Sequence, residues 1–138
     1  MPEEGIIAGV RRAYEAFSRG DFDAAAEIAD PDIELVTTGG LTNLRGVEKF
    51  RAWMEPEAVQ DISVEVEHFE VAGSNVLVRQ RGRGRGVSSG IIMDLRSWAV
   101  WTINEAGLVT RIIVFRDEEE GRARQAAGLP GFGRASTP

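Results

Sequence analysis

The sequence predicts an α+β fold in the order α-α-β-α-β-β-β-β-α. Two observations predict it. Apolar residues recur at helical spacings of three and four near both ends of the chain, while from Ile62 to Phe115 strand-like segments follow one another with only short turns between them. Consecutive strands joined by tight turns make an antiparallel meander, not the alternating pattern of a parallel sheet. The helices are expected on one face of that meander. With 138 residues, 43% hydrophobic and 28% charged, the chain is long and apolar enough to bury a core. A single domain is expected over residues 1–130, followed by a loose tail over 131–138.

Residues 4–19 place Ile6, Ile7, Val10, Tyr14 and Phe17 on one helical stripe. Gly20 ends that helix, and Asp21 caps a short second one that stops before Pro31. Residues 32–36, DIELV, read as a strand with Ile33 and Leu35 on one face, and TTGGLTNLRG reads as a loop. Gly46 opens a third helix carrying Val47, Phe50, Trp53 and Met54. ISVEVEHFEV alternates, then slips phase near His68 and Phe69, which predicts a bulge. NVLVRQRGRG, IMDLRSWAVWTI and LVTRIIVF complete the meander. Asp117 is expected to cap the closing helix, with Glu120 completing a capping box and Gly128 ending it.

The stretch VRQRGRGRGVSSG bears on function. Arg79, Arg81, Arg83 and Arg85 stand at every second position, which puts all of them on one face of a strand. A phosphate-binding glycine loop has to lead into a helix N-terminus. Here the glycines lead into IIMDLRSWAVW, a strand, so the stretch reads as half of a hairpin.

The net charge of −6 argues against a nucleic-acid partner. Apolar runs are far shorter than the ~20 residues of a membrane-spanning helix, and no signal peptide is expected. The chain has no cysteine, which removes disulfides and thiolate chemistry and fits a cytoplasmic location. One histidine and scattered carboxylates make a poor metal site, so neither metal nor cofactor is expected.

Taken together, VRRAYEAFSRGDFDAAAEIADPDIELV, GVEKFRAWM, NEAGLVTRIIVFRDEEEGRARQAAGL and their order resemble a SnoaL-like member of the nuclear transport factor 2-like (ketosteroid isomerase-like) superfamily. The resemblance spans residues 5–129. It implies a curved antiparallel sheet wrapped around helices as a cone, with a mostly apolar pocket and a homodimer formed through the outer face of the sheet. It also implies positions for catalytic groups. The counterparts of the ketosteroid isomerase base and acid are Thr37 and Ala99, and that of its helix-one tyrosine is Ala13, beside Tyr14. The limonene epoxide hydrolase set falls on Val114, Gln80 and Gly82. The acid–base sets of both enzymes are therefore missing.

The same registers imply a pocket lined by Tyr14, Phe17, Thr37, Trp53, Gln80, Leu95, Ser97, Ala99, Trp101, Thr110, Ile112 and Val114, with Arg116 at its mouth. They imply a dimer face of Arg79, Arg81, Asp94, Arg96, Trp98 and Val100, since Trp98 on a solvated face would be unusual. Tyr14, His68 and Asp94 are the candidates for chemistry. Three functions fit: a protein binding a small apolar or aromatic ligand, an isomerase, cyclase or dehydratase acting on a polyketide- or steroid-like substrate, and a structural dimerisation module with a filled cone.

Overall fold

Six strands form one curved, unclosed sheet in the computed structural model, which describes residues 3–38 and 42–130. The tail expected over 131–138 lies outside the described residues. Helix α1 (Glu3–Ser18) buries Ile6, Val10 and Tyr14 of the predicted stripe together with Ala13 and Ala16, while Ile7 and Phe17 are half-buried. The Asp21 side chain accepts from the Ala24 N–H and caps α2 (Phe22–Ala26). Strand β1 (Ala29–Thr37) follows, with Ile33 and Leu35 fully buried. Gly46, at a φ of 101°, turns the chain into α3 (Val47–Met54), which packs on β1. Strands β3 (Val59–Ala72), β4 (Asn75–Gly86), β5 (Ile92–Ile103) and β6 (Val109–Arg116) form the expected meander.

The sheet order is β2-β1-β6-β5-β4-β3. Two features depart from the sequence reading. The expected loop contains a strand, β2 (Thr42–Arg45), paired antiparallel with β1. Four residues are too few to establish an alternation in the sequence. And β1 lies parallel to β6, with Leu35 opposite Ile112 and Thr37 opposite Val114, so the sheet is mixed.

The phase slip is real: Val66 opposes Gln80 and His68 opposes Arg79, which leaves Glu67 as the extra residue. RGRGRG is the distal half of β4, hairpinned onto β5. Gly84 has a packing reason to be glycine, because a Cβ there would stand 2.8 Å from the Val59 Cγ1.

The helices do not all gather on one face. Helices α1, α2 and α3 cover the concave side, but α4 (Glu120–Ala127) crosses the outside of β4, β5 and β6. Its Ala123 and Ala127 pack on Leu77, Trp98, Val100 and Phe115, a second apolar cluster behind the sheet. The helix starts after a 3₁₀ turn at 117–119. The capping box sits one residue earlier than expected, because the Glu119 carboxylate, not that of Glu120, accepts from the Arg116 N–H. Glu119 is only 7% exposed and also accepts from the Thr38 hydroxyl. Those two hydrogen bonds, the Thr38 one first, lower its pKa to about 2.

Candidate functional site

Register decides what the concave face presents. Three cross-strand rows run over it: Leu35–Ile112–Trp101–Val76, Thr37–Val114–Ala99–Val78, and Arg116–Ser97–Gln80–Val66. Helices α1 and α3 stand over these rows and leave a cavity of about 90 Å³. Ala13, Tyr14 and Phe17 of α1, Ala25 of α2, and Phe50, Trp53 and Met54 of α3 form its helical wall. Leu35, Val64, Gln80, Ala99, Trp101, Ile112 and Val114 form its sheet wall.

The polar atoms of the cavity are linked. The Trp101 Nε1–H donates to the Tyr14 hydroxyl oxygen at 3.0 Å, and the Tyr14 hydroxyl donates to Gln80 Oε1 at 2.6 Å. Gln80 Nε2 in turn donates to Ser97 Oγ at 3.0 Å. An indole nitrogen can only donate, so the hydroxyl oxygen receives it and must send its own hydrogen onward. Gln80 is oriented to match, with Oε1 toward Tyr14 and its amide nitrogen toward Ser97. The Tyr14 and Trp101 rings also pack at 5.2 Å between centroids. Burial pushes the Tyr14 hydroxyl pKa well above its ordinary value, and the Trp101 hydrogen bond offsets little of that rise. Tyr14 is therefore a neutral donor, not a base.

Several expected pocket residues do not line the cavity. Leu95 has the right parity but is 70% exposed, because β5 runs on past the helices that close the cavity. Thr110 is the extra residue of a bulge between β5 and β6 and donates its hydroxyl to the Thr102 carbonyl. Arg116 is exposed and pairs with Glu118 and Glu119. Ser97 touches the cavity only through Gln80. Thr37 sits in the row beside Val114, and its Oγ1 is buried without a partner among the described residues. Sequence reasoning missed Ala13, Ala25, Leu35, Phe50, Met54 and Val64. Phe50 and Met54 carried a usable signal, since they share the α3 stripe with Trp53.

Two of the three candidates for chemistry face away. His68 is exposed on the outer side, 3.3 Å from a Glu70 carboxylate oxygen. Asp94 accepts two hydrogen bonds from Arg81, at 2.8 and 2.6 Å, and that partner holds its pKa down. Only Tyr14 reaches the cavity.

The expected dimer face also changes character. Trp98 is 7% exposed because α4 covers it, the Arg79 guanidinium stacks on its ring at 4.5 Å, and its Nε1–H donates to the Asp117 carbonyl at 3.1 Å. Val100 is buried under α4 as well. The charged members are already paired within the chain: Arg79 with Asp117 and Glu67, Arg81 with Asp94, Arg96 with Glu67. The unusual Trp98 is thus accounted for without a second copy. Among the described residues no group of three or more His, Asp or Glu side chains gathers as a metal site would, and no helix is long and apolar enough to cross a membrane.

A curved sheet with three helices closing an apolar cavity on its concave side defines a class of cone-shaped proteins. The profile of the SnoaL-like domain family matches residues 10–112, and the chain belongs to that family. No curated protein matches it. Among solved structures, a candidate SnoaL-like polyketide cyclase from Jannaschia sp. CCS1 is 23% identical, with a TM-score of 0.73 over 91% of this chain and 92% of that one. SalBIII, an epoxide hydrolase/cyclase-like enzyme in pyran ring formation in the polyether salinomycin, is 18% identical, with a TM-score of 0.75 over 82% and 91%. RV0760c from Mycobacterium tuberculosis, solved with estradiol-17β-hemisuccinate, is 14% identical, with a TM-score of 0.69 over 80% and 92%. At such identities the likeness is one of fold.

Proposed function

We propose that this chain binds a small apolar molecule in the cavity between α1, α3 and the sheet, and that it does so without acid–base turnover. One observation carries the reading: the cavity wall is apolar except for Tyr14, Gln80 and the indole N–H groups of Trp53 and Trp101, and none of these is ionised. An apolar concavity with a few convergent polar groups is the usual build of a small-molecule site. Turnover of the isomerase or dehydratase kind needs an acid or base within hydrogen-bond reach of the substrate. Here Tyr14 holds its proton tightly, and His68 and Asp94 are on the other face of the sheet.

Tryptophan fluorescence tests the binding half. Hydrophobic ring-containing metabolites are expected to shift the emission of the wild-type protein. The shift is expected to shrink in Trp101→Phe, which keeps a ring and removes the N–H. An equal shift in both proteins would place the ligand elsewhere. For the second half, chromatography of the recovered compound is expected to return it unaltered, and a new product or isomer would sink that part.

A further inference from the structure

We infer that the ligand is an uncharged molecule with a single five- or six-membered ring, bearing a hydrogen-bond acceptor oxygen that Gln80, held by Ser97, reads. This rests on the binding function proposed above and narrows it in size, charge and polarity.

Size comes from the cavity. Pockets for drug-sized ligands run from about 300 Å³ upward. An apolar cavity of roughly 150 Å³ in another protein stays dry and takes up benzene. The cavity here, about 90 Å³, lies below both. A fused-ring skeleton does not fit such a space. One ring fits if the wall yields at one point, and Trp53, which is 41% exposed on the cavity rim, is the side chain free to yield.

Charge follows from the wall. No lining residue is a carboxylate, a histidine, a lysine or an arginine. An ion brought into such surroundings would lose its hydration and gain no partner.

The acceptor follows from the direction of the hydrogen-bond chain. Trp101 donates to Tyr14, Tyr14 to Gln80, and Gln80 to Ser97. Counting hydrogens along it leaves two without an acceptor among the described residues: the second amide hydrogen of Gln80 and the hydroxyl hydrogen of Ser97. Gln80 lines the cavity, and Ser97 stands behind it on the same row. A ligand that offers a carbonyl or ether oxygen to Gln80 satisfies its second amide hydrogen. A purely hydrocarbon ring leaves the free amide hydrogen of Gln80 covered and unpaired, which is the costly outcome for a polar group.

Isothermal titration with four probes tests each element: cyclohexanone, its isostere methylenecyclohexane, cyclohexanecarboxylate and a four-ring steroid ketone. Cyclohexanone is expected to bind most tightly, about tenfold above methylenecyclohexane, the worth of roughly one hydrogen bond. In Gln80→Met, which keeps the side-chain length and loses the amide, the two are expected to bind alike, with methylenecyclohexane little changed. Circular dichroism checks that this variant folds, and Ser97→Ala supplies a second, milder loss of the preference. Equal binding of the two isosteres by the wild type overturns the acceptor assignment. Tighter binding of the steroid ketone overturns the size limit, and tighter binding of the carboxylate overturns the charge argument. In each of those cases the proposed binding function stands. If none of the four binds, that function falls as well.

Discussion

Trp98 tests whether α4 or a second copy of the chain covers the outer face. The substitution is Trp98→Ala. The indole is 7% exposed and packs with Leu77, Val100, Phe115, Ala123 and Ala127. Deleting a buried large aromatic side chain costs about 3–5 kcal/mol. The Asp117 carbonyl, which receives the indole hydrogen at 3.1 Å, loses its donor, for about 1 kcal/mol more. The expected loss is therefore about 5 kcal/mol. With a urea m-value near 2 kcal/mol/M, the unfolding midpoint falls by roughly 2.5 M. Trp98→Phe keeps most of the packing and is expected to lose about 1–2 kcal/mol by the same reckoning. Urea unfolding followed by circular dichroism measures both, and sedimentation velocity runs beside it. A midpoint change below about 0.5 M for Trp98→Ala would refute the reasoning. So would conversion of a wild-type dimer into a folded monomer of unchanged stability, which would return Trp98 to an interface.

Two further changes probe the supports of the site. Glu119 has its pKa lowered from 4.5 to about 2, so its stabilisation is fully present above about pH 4.5 and is lost as pH falls toward 2. Glu119→Gln is expected to flatten that part of the acid limb in a pH series of thermal melts, and an unchanged limb would mean that the carboxylate bonds do not form. Gly84→Val drives a side chain into Val59, whose Cγ1 stands 2.8 Å from the Cβ position. Overpacking of this kind costs about 1–3 kcal/mol, and urea unfolding with no loss would show that β3 gives way freely.

The main outline was legible because it depends on local patterns. Ile6, Val10 and Tyr14 mark the buried side of α1, and the alternating arginines mark one face of β4. Gln80, Ala99 and Trp101 could be put on the concave face because strand parity was anchored by the registers that the family resemblance implies. Parity gives a direction but not a depth, which is why Leu95, correctly oriented, ends beyond the rim. It also counts steadily through a bulge, and the extra residue at Thr110 breaks the count. The side of the sheet that α4 covers is a tertiary outcome. Ala123, Ala126 and Ala127 on an otherwise polar helix were its only trace, and without it Trp98 looked exposed. The hydrogen-bond chain through Tyr14, Gln80 and Ser97 joins residues of α1, β4 and β5 that are far apart in sequence, so no local pattern announces it.

The parallel pairing of β1 with β6 has a consequence for how the chain is made. Every other strand finds its sheet neighbour across a nearby turn or loop, but β1 has to wait for β6 on its inner side. The Thr38 to Glu119 hydrogen bond at the end of that seam spans 81 positions. Contacts so distant have their chain entropy settled before they yield anything, which slows folding. During synthesis Ile33 and Leu35 leave the ribosome long before Ile112 and Val114 exist. Until then the first third of the chain carries a greasy strand with an open edge, the kind of surface that chaperones bind and aggregates grow from. The cavity is accordingly among the last parts of the molecule to exist, since its sheet wall is closed only when β6 slots between β1 and β5.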